Sequence, residues 1–316
     1  MDNFIKIITT NPVFPEEKAV IALGVFDGVH PGHRKVIASA VELARRLQCR
    51  TGVVTFVPHP RQVLGNNDAL KLLMPESRRM EELQKCGADF VARINFSMEI
   101  ARWDAESFLQ KLRDCGLFKI AGICVGSNWK FGKNGSGNRE LLSRFCQNSG
   151  IEFIPVPEIK AGENIVSSSW LRKLTADGEF EEIRRIYGTY PEIYGTVQSG
   201  MHAAGRDLDA PTANLELEYG VMVPDGVYAG SVQVDGTVYP AVLNIGPAPT
   251  YCVEKRRIEV HLIGFHGNLY GTRQKVTLIR KLRDICKFDS IEMLKNQIRS
   301  DIENARSIVK DAHIRY

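Results

Sequence analysis

The chain lacks the cysteine patterns that define disulfide-rich and zinc-binding proteins. Its 316 residues include seven cysteines, an odd number, and no two of them form a Cys-x-x-Cys pair. This usage argues against a disulfide framework and against the common zinc-site spacings. It is typical of a reducing compartment, so we expect a cytoplasmic protein.

Long apolar runs and strong charge are missing as well. No run approaches the length that spans a bilayer. The start of the chain, residues 1–6, lacks a basic segment followed by an apolar core, so we expect no signal peptide and no membrane partner. A formal net charge of +4 suits anionic ligands but is too small to indicate nucleic acid.

The apolar pattern of the first part alternates between strand and helix. An order of this βαβα kind predicts a parallel sheet covered by helices. The predicted strands cover residues 20–26, 51–57, 89–94, 120–125 and 151–156. The predicted helices cover residues 34–47, 78–86, 139–147 and 180–187, with a further helix capped by Asp104.

The pattern changes from residue 195, where short strands are separated by glycine and proline. This texture predicts a small antiparallel barrel, and a long helix is expected from residue 289 or 290. The predicted domains are residues 1–186 and 187–316. The buried stripe of the last helix is predicted to contain Ile291, Leu294, Ile298, Ile302 and Ala305.

The most informative segment is 24–33, Gly-Val-Phe-Asp-Gly-Val-His-Pro-Gly-His. It joins a predicted strand to a predicted helix, whose free N–H groups and partial positive charge favour a phosphate. His30 and His33 can stabilise an anion whose charge grows during reaction. The pattern His-x-Gly-His in this context is typical of nucleotidyltransferases, and an incidental loop is the alternative. Further nucleotide-binding candidates are Gly24, Phe26, Asp27, Gly28 and Gly32.

Three other segments of the first part are candidate contacts. A helical stretch begins near Ser167, Ser168 and Arg172. Hydroxyl, N–H and guanidinium groups at a helix start predict that these residues bind the departing pyrophosphate. The alternative is ordinary N-capping of the helix. His59 lies between two prolines at a strand end, and either contacts a ligand or stiffens the loop. Phe131 either lines a flat aromatic ligand or anchors a turn.

The segment around Phe131 superficially resembles a Walker A loop. Five residues separate Gly126 from Gly132, and Asn134 stands where a serine or threonine is required. We therefore reject a P-loop.

The second part carries two candidate constellations. Thr212 and Asn214 share one face of an extended segment, so their oxygens can complete a Mg²⁺ site that keeps waters and binds phosphates. Turn chemistry at a strand start is the alternative. Glu259 lies in segment 258–262, where apolar and ionisable residues alternate. It is either a general base for an alcohol or part of the solvated face of a strand.

Together these motifs resemble the bacterial bifunctional riboflavin kinase/FAD synthetase family over nearly the whole chain. The first half is similar to the adenylyltransferase module at 24–33, 56–60, 126–132 and 167–172. The second half is similar to the riboflavin kinase module at 205–215, 224–228, 244–251, 258–262, 269–271 and 282–288. The resemblance implies a Rossmann-like α/β nucleotidyltransferase, followed by a small antiparallel β-barrel with a C-terminal helix.

The resemblance also implies two successive reactions. Riboflavin receives the γ-phosphate of ATP and becomes FMN, and FMN then attacks the α-phosphate of a second ATP to give FAD and pyrophosphate. It implies that Thr212 and Asn214 hold the Mg²⁺-nucleotide and that Glu259 activates the ribityl hydroxyl. Other implied nucleotide contacts are Gly205 and Arg206. The implied flavin contacts are His59, Pro60, Asn128, Phe131 and Arg283.

The chain departs from the family pattern at a few positions. The family usually has Asp where Asn128 stands, and Gly-Phe where Asp209 and Ala210 stand. Two alternatives to the bifunctional enzyme are a chain with only one active module and a flavin- or nucleotide-sensing protein without turnover. The expected partners are ATP, riboflavin and FMN, and any self-association is expected to be weak.

Overall fold

A computed structural model describes residues 4–8, 13–65, 70–198, 212–217, 219, 222–248 and 253–312. The chain divides into two compact units. The first contains Met1–Leu70 and Glu76–Ser168, and the second contains Lys71–Pro75 and Ser169–Tyr316. The division of functions after residue 186 stays a prediction.

The first unit is built on a six-stranded sheet in the order β1-β4-β3-β2-β5-β6. Strands β2 to β6 pair in parallel, as the alternating pattern predicts, and only β1 runs antiparallel, against β4. The strands are β1 (Ile5–Ile7), β2 (Lys18–Leu23), β3 (Arg50–Val57), β4 (Phe90–Asn95), β5 (Lys119–Gly126) and β6 (Glu152–Val156).

Helices cover both faces of this sheet. Helix α1 packs Leu43 towards Val20 and Gly122, whereas the opposite face packs Ile21 and Ile123 into the core with the later helices. The helices are α1 (Pro31–Arg46), α2 (Pro60–Leu64), α3 (Glu76–Lys85), α4 (Ala105–Arg113) and α5 (Arg139–Ser149). Short 3-10 turns cover Ile100–Arg102 and Lys133–Gly135, and a small hairpin pairs β7 (Lys160–Ala161) with β8 (Asn164–Ile165).

The second unit is a closed antiparallel barrel in the order β10-β13-β12-β11-β14-β9. The strands are β9 (Glu192–Gln198), β10 (Ala213–Leu217), β11 (Gly226–Val234), β12 (Thr237–Ala248), β13 (Val253–Leu262) and β14 (Arg273–Arg283). Its core includes Tyr228, Leu243 and Val260, together with side chains of α6 (Ser168–Asp177) and α7 (Phe180–Tyr187). The parallel sheet and the barrel confirm the expected fold class.

A C-terminal helix, α8 (Ile291–Asp311), lies against β11, β12 and β14. Ser290 caps it, since its hydroxyl accepts a hydrogen bond from the Met293 amide at 3.2 Å. The predicted buried stripe is wrong at Ile291, which is 57% exposed because it lies in the first turn. The buried face contains an acidic residue instead, Asp301, which is 2% exposed.

Two broader expectations concern cysteines and membranes. The six cysteines within the described ranges are free thiols. Burial raises the pKa of the Cys124 and Cys146 thiols to about 12, so they pack as small apolar groups. Among the helices that the structure describes, none combines the length and the apolar character needed to cross a bilayer.

Candidate functional sites

The first site lies beyond the carboxyl ends of the parallel strands. The chain leaves β2 for β3 on one side, while β5 lies on the other side of β2. A reversal of this kind opens a crevice in which α/β proteins bind ligands. The segments that follow these strands carry His30, His59 and Asn128, so the topology brings three predicted residues to one edge of the sheet.

His30 and His33 lie at the start of α1. His30 is its N-cap, and the Nδ1 atom accepts the His33 amide at 3.4 Å. The two rings stack with centroids 3.6 Å apart and planes 21° apart. Because Nδ1 accepts a hydrogen bond, the neutral His30 imidazole carries its proton on Nε2.

Glycines make room for these rings. A Cβ atom on Gly32 would lie 3.1 Å from the His30 ring, and a Cβ atom on Gly24 would lie 3.1 Å from the Phe26 ring. Phe26 in turn meets the His33 ring edge-on, with centroids 5.2 Å apart. Gly28 has φ of +82°, a conformation open to glycine. Gly24 and Gly32 therefore leave the space that the Phe26 and His30 rings occupy beside His33.

The serines and the arginine of 167–172 have partners within the protein. The Ser168 hydroxyl donates to the carbonyl oxygen of Asp27 at 2.9 Å, and Ser167 is half-buried just before α6. The Arg172 Nε atom donates to the Lys71 carbonyl at 2.9 Å. Ser168 therefore supports the backbone of the histidine segment, and the pyrophosphate role of this group stays a prediction.

The candidates that follow β3 and β5 differ in exposure. His59 is 8% exposed and caps α2 at Pro60, where its Nδ1 atom accepts the Arg61 amide at 3.0 Å. The Asn128 side chain is exposed and donates to the Glu158 carboxylate. Phe131 is 6% exposed and stacks on Trp129 with centroids 4.7 Å apart in the core. This position favours the anchoring role of Phe131 over contact with a flat ligand.

The second site lies on the outer wall of the barrel. Asn214 on β10 is the direct cross-strand partner of Glu259 on β13, and Glu259 is also the partner of Asn244 on β12. Their sequence neighbours Leu215 and Val260 point into the core. Since side chains alternate along a strand, the three polar side chains form one row on the outer face.

Burial changes the chemistry of Glu259. It raises the pKa of this carboxyl above that of an ordinary glutamate, and the nearby positive charge of Arg257 partly opposes the shift. A carboxylate with a raised pKa is a better proton acceptor than an exposed one. Glu259 is therefore suited to take a proton from an alcohol.

This row of polar side chains has few charged groups that could bind a metal ion. Among the residues that the structure describes, no cluster of three or more His, Cys, Asp or Glu side chains is arranged to hold a metal ion. Thr212 and Asn214 supply neutral oxygens, with one carboxylate opposite. Such a donor set suits a hard divalent cation that takes most of its ligands from phosphates and water.

A cavity of about 160 Å³ opens beside Thr212. Its walls combine apolar strand residues with aromatic side chains of the segment that follows β13. The residues that line it include Val197, Thr212, Ala213, Phe265, Leu269 and Tyr270. The sequence did not indicate this cavity, nor Asn244 as a site residue. No local pattern marks either of them, although both include residues of the segments that carry the family resemblance. Gly205, Arg206 and Asp209 lie outside the described residues.

Arg283 makes strong contacts within the barrel unit. Its Nε and Nη2 atoms donate to Asp301 on α8 at 3.0 Å and 2.9 Å, and its guanidinium lies over the Phe288 ring. Gln297 donates to the same carboxylate at 2.9 Å. The Asp301 side chain is 3% exposed. Arg283 thus joins α8 to the barrel, which is a structural role beside the flavin contact that the sequence predicts.

Replacing Arg283 by methionine should therefore destabilise the barrel unit. The change leaves the Asp301 carboxylate buried without its cation, which typically costs about 3 kcal/mol of unfolding free energy. Urea unfolding measures the loss, and the Arg283→Met/Asp301→Leu double variant should recover most of it. Unchanged stability with a raised KM for riboflavin would instead assign Arg283 to the ligand.

Comparison with known proteins assigns each half of the chain to a family. The FAD synthetase family matches residues 14–170, and the riboflavin kinase family matches residues 187–309. Bifunctional riboflavin kinase/FMN adenylyltransferases from Pseudomonas fluorescens, Bacillus subtilis and Escherichia coli K12 are 33%, 32% and 31% identical to this chain. The alignments cover 93%, 92% and 92% of this chain, and 94%, 92% and 93% of those proteins.

A solved structure is similar over both units. It is described as a macrolide-efflux protein from Streptococcus pneumoniae, with a TM-score of 0.81, 28% identity and coverage of 95% of each chain. The efflux description belongs to that protein alone. The full-length relatives and the two matched families carry the assignment here. The chain belongs to the bifunctional riboflavin kinase/FMN adenylyltransferase family, and it converts riboflavin to FMN and FMN to FAD with ATP as the donor.

Proposed function

We propose that the two reactions are divided between two sites, one in each compact unit. The predicted domains are residues 1–186 for the adenylyltransferase around His30 and His33, and residues 187–316 for the kinase around Asn214 and Glu259. Within the first of them, residues 71–75 and 169–186 belong to the second compact unit. The observation that supports this division most strongly is that the histidine pair and the Asn214–Glu259 pair belong to different compact units. Weak self-association and a cytoplasmic location stay predictions.

In the proposed kinase reaction, the Glu259 carboxylate accepts the proton of the ribityl hydroxyl. The hydroxyl oxygen attacks the γ-phosphorus of ATP, and ADP leaves with the electrons of the broken P–O bond. Thr212 and Asn214 would hold Mg²⁺ and, through it, the nucleotide phosphates, and the cavity beside Thr212 takes the nucleotide base. A bound Mg²⁺ would neutralise phosphate charge, which is a major part of phosphoryl-transfer catalysis.

In the proposed adenylyl transfer, an oxygen of the FMN phosphate attacks the α-phosphorus of ATP and pyrophosphate leaves. The His30 Nε2–H group and His33 stabilise the charge that develops on the α-phosphate oxygens. The α1 N-terminus favours the triphosphate through the partial positive charge of the helix dipole. Segment 57–60 and Asn128 contact the flavin at the same edge of the sheet.

The division is tested with purified protein, riboflavin, ATP and Mg²⁺, with products separated by chromatography. FMN should form first and FAD should follow. FMN without FAD would indicate a silent adenylyltransferase site, and bound flavin without turnover would indicate a sensor. Replacing Mg²⁺ by Mn²⁺ or Ca²⁺ in parallel assays tests the metal preference separately.

The role of Glu259 as a base predicts a specific pH dependence of the kinase step. Because burial raises its pKa, the base becomes protonated at a higher pH than an exposed glutamate, and kcat/KM should begin to fall there as the pH is lowered. Removing the Arg257 charge raises that pKa further. The Arg257→Gln variant should therefore move this acid limb to higher pH.

The Arg257→Lys variant, which keeps the charge, is the matched control and should leave the limb close to its original position. The acid limb of adenylyl transfer should not move in either variant. An Arg257→Gln profile that is unchanged, or displaced to lower pH, would contradict the assignment of this limb to Glu259.

A further inference from the structure

The first unit buries an arginine that neither the motifs nor the proposed reactions use. Arg79 on α3 is 3% exposed. Its Nη1 atom donates to the carbonyl oxygen of Val25 at 3.1 Å, and its Nη2 atom donates to the carbonyl oxygen of Phe56 at 3.2 Å. Arginine is almost never fully buried without partners, so these two backbone contacts need an explanation.

The two carbonyl oxygens belong to different parts of the site. Val25 lies in the segment between β2 and the histidine pair, which we call the nucleotide loop (residues 24–30). Phe56 lies near the end of β3, directly before the segment 57–60 that is proposed to contact the flavin. One guanidinium therefore bridges the backbone of both ligand-binding segments.

Charge links Arg79 to the nucleotide loop as well. Burial lowers the pKa of Arg79, whereas the negative charges of Asp27 and Glu76 favour its ionised form. Asp27 lies in the nucleotide loop and is 1% exposed. The arginine thus supplies the positive charge that a buried carboxylate next to a phosphate site requires.

The nucleotide loop has a backbone that needs support. Phe26 has φ of +55° and Val29 has φ of +42°, which are rare values for bulky or β-branched residues. Side chains from outside the loop donate hydrogen bonds to every second carbonyl oxygen of the loop. The Val25 carbonyl accepts a hydrogen bond from the Thr55 hydroxyl at 2.9 Å, and the Asp27 carbonyl accepts one from the Ser168 hydroxyl at 2.9 Å. The Val29 carbonyl accepts a third from the Arg34 Nε atom at 3.0 Å.

Arg79 combines this support with a hydrogen bond to the second segment, at Phe56. Thr55 reaches the Val25 carbonyl but not Phe56 in the contacts described for it. The planar fork of a guanidinium can direct two N–H groups to two separate oxygens, whereas a lysine ammonium is a compact point charge. The residue type therefore matches a bridging function.

We propose that Arg79 is a positioning residue for adenylyl transfer, which fixes the nucleotide loop and the flavin segment relative to each other through the carbonyls of Val25 and Phe56. The inference rests on the proposed function of these two segments. Its consequence is that one side chain, which touches neither substrate, sets the distance between the attacking phosphate of FMN and the α-phosphorus of ATP. A displacement of about 1 Å between reactants can slow a reaction about 100-fold.

The test measures both activities in Arg79→Met and Arg79→Lys. Adenylyl-transfer kcat/KM should fall about 100-fold in Arg79→Met and less in Arg79→Lys, which keeps the charge. The kinase activity of the same chain should stay within about twofold and reports on folded protein. Leu83→Ala is the matched control, since Leu83 is a fully buried residue of the same helix and its side chain has no hydrogen-bond donor for the two carbonyls.

Ligand binding separates bridging from general support. Titration calorimetry with FMN and with a non-hydrolysable ATP analogue should show weaker binding of both at the adenylyltransferase site in Arg79→Lys, while binding of the analogue at the kinase site is unchanged. The isosteric Thr55→Val variant removes a hydrogen bond from the nucleotide loop alone, so it should weaken binding of the ATP analogue and leave that of FMN unchanged. A loss confined to one ligand in Arg79→Lys would overturn the bridging role.

Two further outcomes would also contradict the proposal. One is a Leu83→Ala variant that loses as much adenylyl transfer as Arg79→Met at an equal drop in Tm. The other is wild-type adenylyl transfer in both Arg79 variants. A parallel His33→Ala variant distinguishes the cause: if it loses activity, only the Arg79 inference fails, and if it too is unaffected, the proposed adenylyl-transfer site is wrong.

Discussion

Replacement of Glu259 by glutamine is expected to lower FMN formation by about 10²–10⁴-fold, the usual contribution of a general base. Glutamine keeps the size and hydrogen-bonding shape of the side chain but cannot accept the proton of the ribityl hydroxyl. FAD synthesis from supplied FMN should continue at the wild-type rate. Both rates are measured on the same preparation by separating riboflavin, FMN and FAD.

Glu216 provides a matched control for this variant. It lies on the same outer face of the barrel, two residues beyond Asn214 on β10, but it is exposed. Glu216→Gln should therefore leave FMN formation close to wild type. The Asn214→Ala variant should lose FMN formation and keep FAD synthesis. An equal collapse of FAD synthesis in folded Glu259→Gln protein would refute the division into two sites.

The second large effect is expected at the histidine pair. His33→Ala should lower kcat of adenylyl transfer by about 10²–10³-fold, because it removes a donor that stabilises developing charge on the α-phosphate. The stacked His30 ring, 3.6 Å away, also loses its neighbour. Conversion of riboflavin to FMN should be unaffected, so FMN should accumulate when riboflavin and excess ATP are supplied.

A second variant on the same helix tests whether the loss of activity in His33→Ala comes from a general loss of positive charge. Lys35 is an exposed residue of the same helix, and Lys35→Ala should leave adenylyl transfer nearly unchanged. If FMN production falls in parallel with FAD production in His33→Ala, the histidines do not act in adenylyl transfer alone. Circular dichroism and Tm of the variant show whether such a parallel loss comes from unfolding.

The sequence predicts the elements of this protein better than their ends. The strand expected over 20–26 ends at Leu23. Periodicity could not show this, because the apolar residues continue through Phe26 while the backbone at Phe26 already adopts a positive φ. Helix α1 begins at Pro31, three residues before the predicted helix, because His30 serves as its cap. Local patterns thus miss the turn that forms the site.

The pairing of residues that are far apart in the chain could not be predicted from the sequence either. Asn214 and Glu259 were both expected to act in the kinase, but no local signal places them opposite each other, since strand register depends on the whole barrel. Arg79 reads as an ordinary polar position of an amphipathic helix. Asp301 reads as one more charged residue of α8, and only the fold reveals the buried partner of each.

The most direct test of the two reactions, in which ATP is cleaved at different phosphorus atoms, uses ATP labelled at a single phosphorus atom. With label at the γ-phosphorus, FMN and then FAD should carry it. With label at the α-phosphorus, FAD should be the labelled flavin, the ADP from the kinase step should keep its label, and the FMN and pyrophosphate should be unlabelled. Label from the α-phosphorus in FMN, or FAD that gains no label from that position, would contradict the account.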